Sequence, residues 1–283
     1  MKAQQLKQRM HGGGVGGEDY DASVSGAPSF SELEVNLRIG QTILSNAGAL
    51  AYMREGVERG SLKVGGIKGF FGRALAGQSA FQVSYKGLDN KGDRRITFSS
   101  SVPGDMLRIE LQPGESAVVS RESYVAGSPS ITVTGKLNWR GAFSVGQDEG
   151  LVLPELVCKE TAGSAWLGAF GSFRRHELLA NQTLTVDNGL FLAAINKPSG
   201  GELYTVVKLG KTLVSSFLGG EGLGMRFRGP CTVYTQSHNL NEFAGQVIAR
   251  MPSSGGGSKR QTQKRNDLRL SQQRQAAING RSA

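Results

Sequence analysis

Three stretches of this chain share one local design: VNLRIGQTILSNAGALAYM at 35–53, IELQPGESAVVSRESYVAGS at 109–128 and LLANQTLTVDNGLFLAAI at 178–195. With Gly40, Gly114 and Asn181 set level, Thr42, Ser116 and Thr183 coincide, and so do the apolar Ile43, Ala117 and Leu184. Ten positions after each anchor stand Leu50, Tyr124 and Phe191. Glycine and asparagine accept positive φ most readily, so each stretch reads as a strand, a tight turn, a second strand and another turn. The anchors lie 74 and then 67 residues apart, the spacing of whole β-subdomains rather than solenoid rungs.

A second piece follows each of the first: GGIKGFFGRALAGQSAFQV (65–83), FSVGQDEGLVLPELV (143–157) and LGKTLVSSFLGGEGLGMRF (209–227). The 41 glycines are spread along the chain without a collagen period, which suits a protein of many turns. The expected fold is therefore all-β, with three pseudo-repeated β-units of double-stranded β-helix or β-sandwich type. The units span about 30–105, 106–173 and 174–251. A flexible segment (1–29) precedes them, and a Gly/Ser linker with a basic tail (252–283) follows. Leu50, Tyr124 and Phe191 are expected in the core at equivalent places, and Gly48, Gly189 and Gly222 in turns.

Several chemistries are excluded by spacing. GGEGLG at 219–224 lacks the GxGxxG pattern, and MRFRGPCTVY after it reads as strand where a dinucleotide site needs a helix. LGKT at 209–212 would need a glycine at 205 to end a phosphate loop, and Thr205 stands there. His11, His176 and His238 are far apart, and Cys158 and Cys231 form no paired metal-binding spacing. Glu149, Glu160, Glu177, Asp187 and Glu221 read as solvated edge or turn carboxylates. No catalytic, cofactor-binding or metal-binding residue is assigned, and no cofactor is expected. No run approaches the roughly 20 apolar residues of a membrane span, and MKAQQLKQRMHGGG lacks the apolar stretch of a secretory signal.

The net charge of +10 is concentrated at one end. After Ser258 the chain carries seven Lys and Arg residues against Asp267 alone, a net +6. Lys259, Arg260, Lys264, Arg265, Arg269 and Arg274 are the candidate polyanion-binding residues. They are separated by Gln, Ser and Asn, as suits an arm that neutralises phosphates and equally a tail that only keeps the chain soluble. With no aromatic residue to stack on bases, such binding would be electrostatic and unselective for sequence. RNA and an anionic membrane surface would both satisfy it.

The third unit, VDNGLFLAAI followed by FLGGEGLGMRFRGPCTVYTQS, resembles the closing signature of the altered inheritance of mitochondria protein 24 family. NAGALAYM (46–53), GGIKGFFGRALAGQS (65–79) and VPGDMLRIELQPGE (102–115) resemble its earlier motifs in the expected order. Gly229-Pro230-Cys231 replaces the family's Gly-Pro-Gly. The resemblance covers about Phe30 to Phe243. It implies a β-fold related to the trp RNA-binding attenuation protein, with three units around a pseudo-threefold axis, and no established catalytic residues. It also implies a mitochondrial setting and upkeep of inner-membrane architecture.

The sequence thus leads to a non-enzymatic scaffold or assembly protein that works through protein contacts, with homo-oligomerisation favoured by its strand edges. The alternative is an RNA- or anionic-surface-binding protein acting through the tail. The resemblance points to the mitochondrion, while the lack of a clear presequence points to the cytoplasm.

Overall fold

The computed structural model describes residues 19–64, 81–89, 92–121, 123–137, 152–196, 203–209 and 223–251. The chain divides into two compact units, Met1–Leu240 and Asn241–Ala283. Every described strand lies in the first. After β1 (Asp21–Ser25) come three successive sets of six strands. The first set is β2 (Glu32–Asn36), β3 (Thr42–Asn46), β4 (Leu50–Met53), β5 (Val57–Val64), β6 (Phe81–Gly87) and β7 (Arg95–Ser99). The second is β8 (Met106–Leu111), β9 (Ser116–Val119), β10 (Tyr124–Gly127), β11 (Ile131–Leu137), β12 (Val152–Cys158) and β13 (Gly163–Gly168). The third is β14 (Phe173–Leu178), β15 (Thr183–Asp187), β16 (Phe191–Asn196), β17 (Tyr204–Lys208), β18 (Leu223–Arg228) and β19 (Cys231–Gln236). The fold is all-β, and among the described residues one α-helix, α1 (Leu240–Arg250), follows the last strand.

One antiparallel pairing scheme serves all three sets. The first and third strands flank the sixth, as in β2–β7–β4, β8–β13–β10 and β14–β19–β16. The second and fourth flank the fifth, as in β3–β6–β5, β9–β12–β11 and β15–β18–β17. The third strand of each set carries a register shift against its sixth strand, between Leu50 and Tyr52, Tyr124 and Ala126, and Phe191 and Ala193. Each shift leaves one residue unmatched, which bends the strand as a bulge does.

The turn joining the first two strands of each set is also the same. Gly40, Gly114 and Asn181 have φ of 75°, 84° and 68°. The next side chain folds back onto the turn: Gln41 Oε1 accepts from Arg38 N at 3.0 Å, Glu115 Oε2 from Gln112 N at 2.9 Å, and Gln182 Oε1 from Leu179 N at 2.8 Å. The backbone N–H of the same three residues donates to the carbonyls of Arg38, Gln112 and Leu179. A polar side chain long enough to reach back three residues thus satisfies an amide that the turn would leave open.

Three apolar clusters form the core, and they interlock. The first holds Leu33, Val35, Ile43, Tyr85, Ile96 and Phe98, and takes in Met106, Val125, Ala126 and Trp166 from the second set. The second is built on Ile109, Leu111, Ala117, Tyr124 and Leu167, and takes in Leu192, Ala193 and Tyr234 from the third. The third holds Phe191, Met225, Phe227 and Val233, with Val118 and Leu153 from the second set.

The structure redraws both expected boundaries of the folded part. Residues 21–25, expected in the flexible segment 1–29, form β1 and pair with β2 in register from Asp21–Asn36 to Ser25–Glu32. Tyr20 is buried, packs edge-on against Trp166 at 5.7 Å, and donates its hydroxyl to Thr42 O at 2.6 Å. Its strand character is faint in the sequence because only Ala22 and Val24 supply its apolar alternation, and they reach the core at a sheet edge. At the other end, 240–250 was expected within the third β-unit and is helical. Leu240, Phe243, Ala244, Val247 and Ile248 recur at intervals of three and four, which is a helical period.

Tyr124 and Phe191 are fully buried, as expected, whereas Leu50 is only half-buried. Gly48 has the positive φ of 92° that its turn requires. Gly189 serves a different need. It sits in a single 3-10 turn (Asn188–Leu190), and an added Cβ would collide with the Asn239 side chain. Gly222 lies outside the described residues.

A Cβ at Gly40 would meet nothing within 4 Å, so its positive φ alone resists substitution. Gly40→Val is expected to destabilise the fold by about 1–2 kcal/mol and Gly40→Asn by much less, measured from urea midpoints. Equal midpoints for the two variants would contradict this account of the turn.

Candidate interaction surface

The sets are joined by their second and third strands. β10 adds to β3 with Ala126 opposite Ser45 and Gly127 opposite Leu44. β16 adds to β9 in the equivalent register, Ala193 opposite Val119 and Ala194 opposite Val118, continuing to Asn196 and Ser116. Each junction completes a six-stranded sheet, β5-β6-β3-β10-β13-β8 and β11-β12-β9-β16-β19-β14. The remaining strands form two partial sheets, β1-β2-β7-β4 and β15-β18-β17. One end strand of each, β4 and β15, is the counterpart of the two strands that meet at each junction, and among the described residues no strand pairs with its outer edge.

Burial follows this difference. Val125, Ala126, Leu192 and Ala193 are at most 2% exposed, because the junction strand passes between the cores of two sets. Their counterparts on β4 are Ala51, which is exposed, and Tyr52, at 52%. Met53 is 39% exposed, where its counterparts Gly127 and Ala194 are buried. Across the other half, Ile43, Leu44 and Ser45 on β3 and Ala117, Val118 and Val119 on β9 are all buried, while their counterparts on β15 are mixed: Leu184 is half-buried, Thr185 is exposed and Val186 is buried in the third cluster. Further exposed apolar side chains stand at Phe30, Ile39 and Leu179.

An ionic cluster fixes the end of β4. The Asp93 carboxylate accepts from Arg95 Nη2 at 2.7 Å, Nε at 3.0 Å and its backbone N at 3.2 Å, and lies 3.5 Å from Arg54 Nε. The Arg95 hydrogen bonds hold its pKa down to about 2, so the carboxylate stays ionised throughout the neutral and mildly acidic range. Arg54 N also donates to Arg95 O at 2.9 Å, which ties the residue after β4 to β7.

The other candidates from the sequence fall into structural places. Leu223 and Gly224, the last residues of GGEGLG, start β18, and a Cβ at Gly224 would come within 2.6 Å of the Leu209 side chain. Residues 219–222 lie outside the described residues, as do Lys211 of LGKT, His11, Glu149 and Glu221. His176 Nε2 lies 3.0 Å from Thr235 Oγ1, and His238 Nδ1 lies 2.8 Å from Ser237 Oγ. Glu177 pairs with Arg175, and Asp187 caps the 3-10 turn by accepting from Gly189 N at 2.8 Å. Cys158 and Cys231 are buried free thiols in different clusters, and burial raises the pKa of both. Among the described residues no three His, Cys, Asp or Glu side chains gather as a metal site. No described helix is long and apolar enough to cross a membrane. Lys259, Arg260, Lys264, Arg265, Arg269 and Arg274 lie outside the described residues.

What the sequence reading missed is the pair Tyr52 and Met53. The aligned repeats carry the signal: small residues, Ala126-Gly127 and Ala193-Ala194, occupy the junction positions of the later sets, and the first set has two long side chains there.

Residues 22–238 match the family described as Mitochondrial biogenesis AIM24. The chain belongs to that family. The matched span begins inside β1, in keeping with the earlier start of the fold, and it ends before α1. An uncharacterised protein of Streptococcus pyogenes serotype M6 is 26% identical over 233 residues, covering 80% of this chain and 88% of that protein. The crystal structure of a Streptococcus pyogenes protein superposes with a TM-score of 0.63 at 22% identity, over 82% of this chain and all of that one. At that identity the likeness concerns the fold alone.

Proposed function

We propose that this member of the AIM24 family is a non-enzymatic scaffold or assembly protein that works through protein contacts. The observation that carries the reading is the pair of sheet edges on β4 and β15, with Tyr52 and Met53 exposed on the first. An edge strand offers unpaired N–H and C=O groups to another chain, and here it adds apolar side chains to them. A large buried aromatic is the usual energetic anchor of such a contact, and Tyr52 supplies one. Membership of the AIM24 family supports a setting in mitochondrial biogenesis, and inner-membrane organisation is the finer form of this proposal. The arrangement of three units around one axis, as in the trp RNA-binding attenuation protein, belongs to the same reading.

In cell extract the wild-type chain is expected to elute in an assembly larger than one chain. A chain carrying Tyr52→Lys and Met53→Lys should elute at the size of one chain while keeping its circular dichroism. Elution of the wild type as a lone chain would count against the scaffold.

A second reading concerns the C-terminal unit and is favoured by α1. None of its residues is buried, and Val247, Ile248 and Met251 lie along one side at 39%, 68% and 62% exposure. An exposed apolar stripe next to a segment of net +6 has the two components of an interfacial anchor for anionic lipid. The full chain should bind vesicles containing phosphatidylserine, and a chain ending at Met251 should bind them far more weakly. Affinity should fall steeply as salt rises. Tighter binding to RNA than to these vesicles would assign the tail to nucleic acid instead, and retention of both ligands by the shortened chain would remove the tail from either role.

A further inference from the structure

We infer that β4 of one copy adds to β15 of a second copy, building between chains the junction that the chain builds twice within itself. This deepens the scaffold reading, on which it rests, by naming the partner at the two edges as the protein itself.

The argument is one of complementarity already present in the molecule. The order within each complete sheet is fourth, fifth and second strands of one set, then third, sixth and first strands of the next. The partial sheet β17-β18-β15 is the first half of that order, and β4-β7-β2 is the second half. β3 and β9 each accept a third strand, so an edge of the β15 type is known to accept an edge of the β4 type. The in-chain registers fix the pairing. Ala126 faces Ser45 and Ala193 faces Val119, which places Tyr52 opposite Val186. Gly127 faces Leu44 and Ala194 faces Val118, which places Met53 opposite Thr185.

Side-chain size explains why the third junction is left for another chain. At the in-chain junctions the crossing strand is squeezed between two cores, and at the two paired positions that both junctions share only alanine and glycine stand, Ala126-Gly127 and Ala193-Ala194. Tyr52 and Met53 would need a larger space, and between separate chains that space is set by docking instead of by the connecting turns. Their burial then supplies apolar contact that two strand edges alone lack. Each chain carries one edge of each kind, so the contact is heterologous: β4 of a first chain meets β15 of a second, whose own β4 is free for a third or for the first.

The test uses the full chain in two single variants, Met53→Cys and Thr185→Cys. Both sites are exposed, and the native thiols are buried. Directly opposed antiparallel residues have Cβ atoms about 4.5–5.5 Å apart, close enough for a disulfide after small adjustment. Mild oxidation of the mixture should give a cross-linked dimer joining one chain of each kind, well above the yield from either variant alone. In sedimentation the wild type should gain mass with concentration, and Met53→Lys should abolish that gain without loss of circular dichroism. Three results would overturn the inference: no mixed dimer, a double variant that cross-links only within one chain, or a wild type that stays a monomer at every concentration. A monomer in purified form that still enters a larger assembly in extract would sink the second-copy partner while leaving the scaffold reading in place.

Discussion

The architecture depends on one kind of contact, the hydrogen-bonded meeting of the second strand of one set with the third strand of the next. At β3–β10 and β9–β16 this contact satisfies backbone groups that would otherwise be unpaired in the interior. It also carries a strand from one core into its neighbour. Tyr124 packs in the second cluster while Val125 and Ala126 pack in the first, and the bulge between Tyr124 and Ala126 turns the strand from one to the other. Fusing adjacent sets in this way gives each cluster large side chains from its neighbour, such as Trp166 in the first and Tyr234 in the second. No set then has an apolar core that is wholly its own, and cooperative folding of the strand-bearing unit follows from that sharing.

Two junctions join three sets, so one edge of each kind is left over. The exposure of β4 and β15 is thus a consequence of the count rather than of a local defect. Native sheets guard such edges by keeping them short or by charging them, and β4 has four residues and is followed by Arg54, which lies against Asp93. Even so, Tyr52 and Met53 remain in solvent. β4 is presented as a formed strand because it pairs with β7 from Leu50–Phe98 to Met53–Ile96, and Arg54 N donates to Arg95 O just beyond it.

Much of this was legible in the sequence. The alignment of Gly40, Gly114 and Asn181 identified three turns that share positive φ, because backbone sterics restrict which residues can stand there. Tyr124 and Phe191 were read correctly as core from position alone. Leu50 was not, because alignment reports the place of a residue within its own set and carries no information about whether a neighbouring set covers it. β1 is faint in the sequence because an edge strand needs only two apolar residues, Ala22 and Val24, whereas the helical spacing of Leu240, Phe243, Ala244, Val247 and Ile248 in α1 stands in the sequence beside the strand pattern. Tyr52 and Met53 could be recognised only once the pairing order was known. The excess of size at those two positions was visible, but its meaning lay in which edge stayed open. The six basic residues of the tail rest on charge alone.

Hydrogen exchange across a dilution series tests the central claim most directly. The backbone amides of β10 and β16 should be protected at every concentration. Those of β4 and β15 that do not pair with β7 and β18 should exchange quickly in dilute protein and slow as concentration rises. Protection of β4 and β15 equal to that of β10 and β16 even at the lowest concentration would mean that the third junction closes within one chain, and would contradict the account.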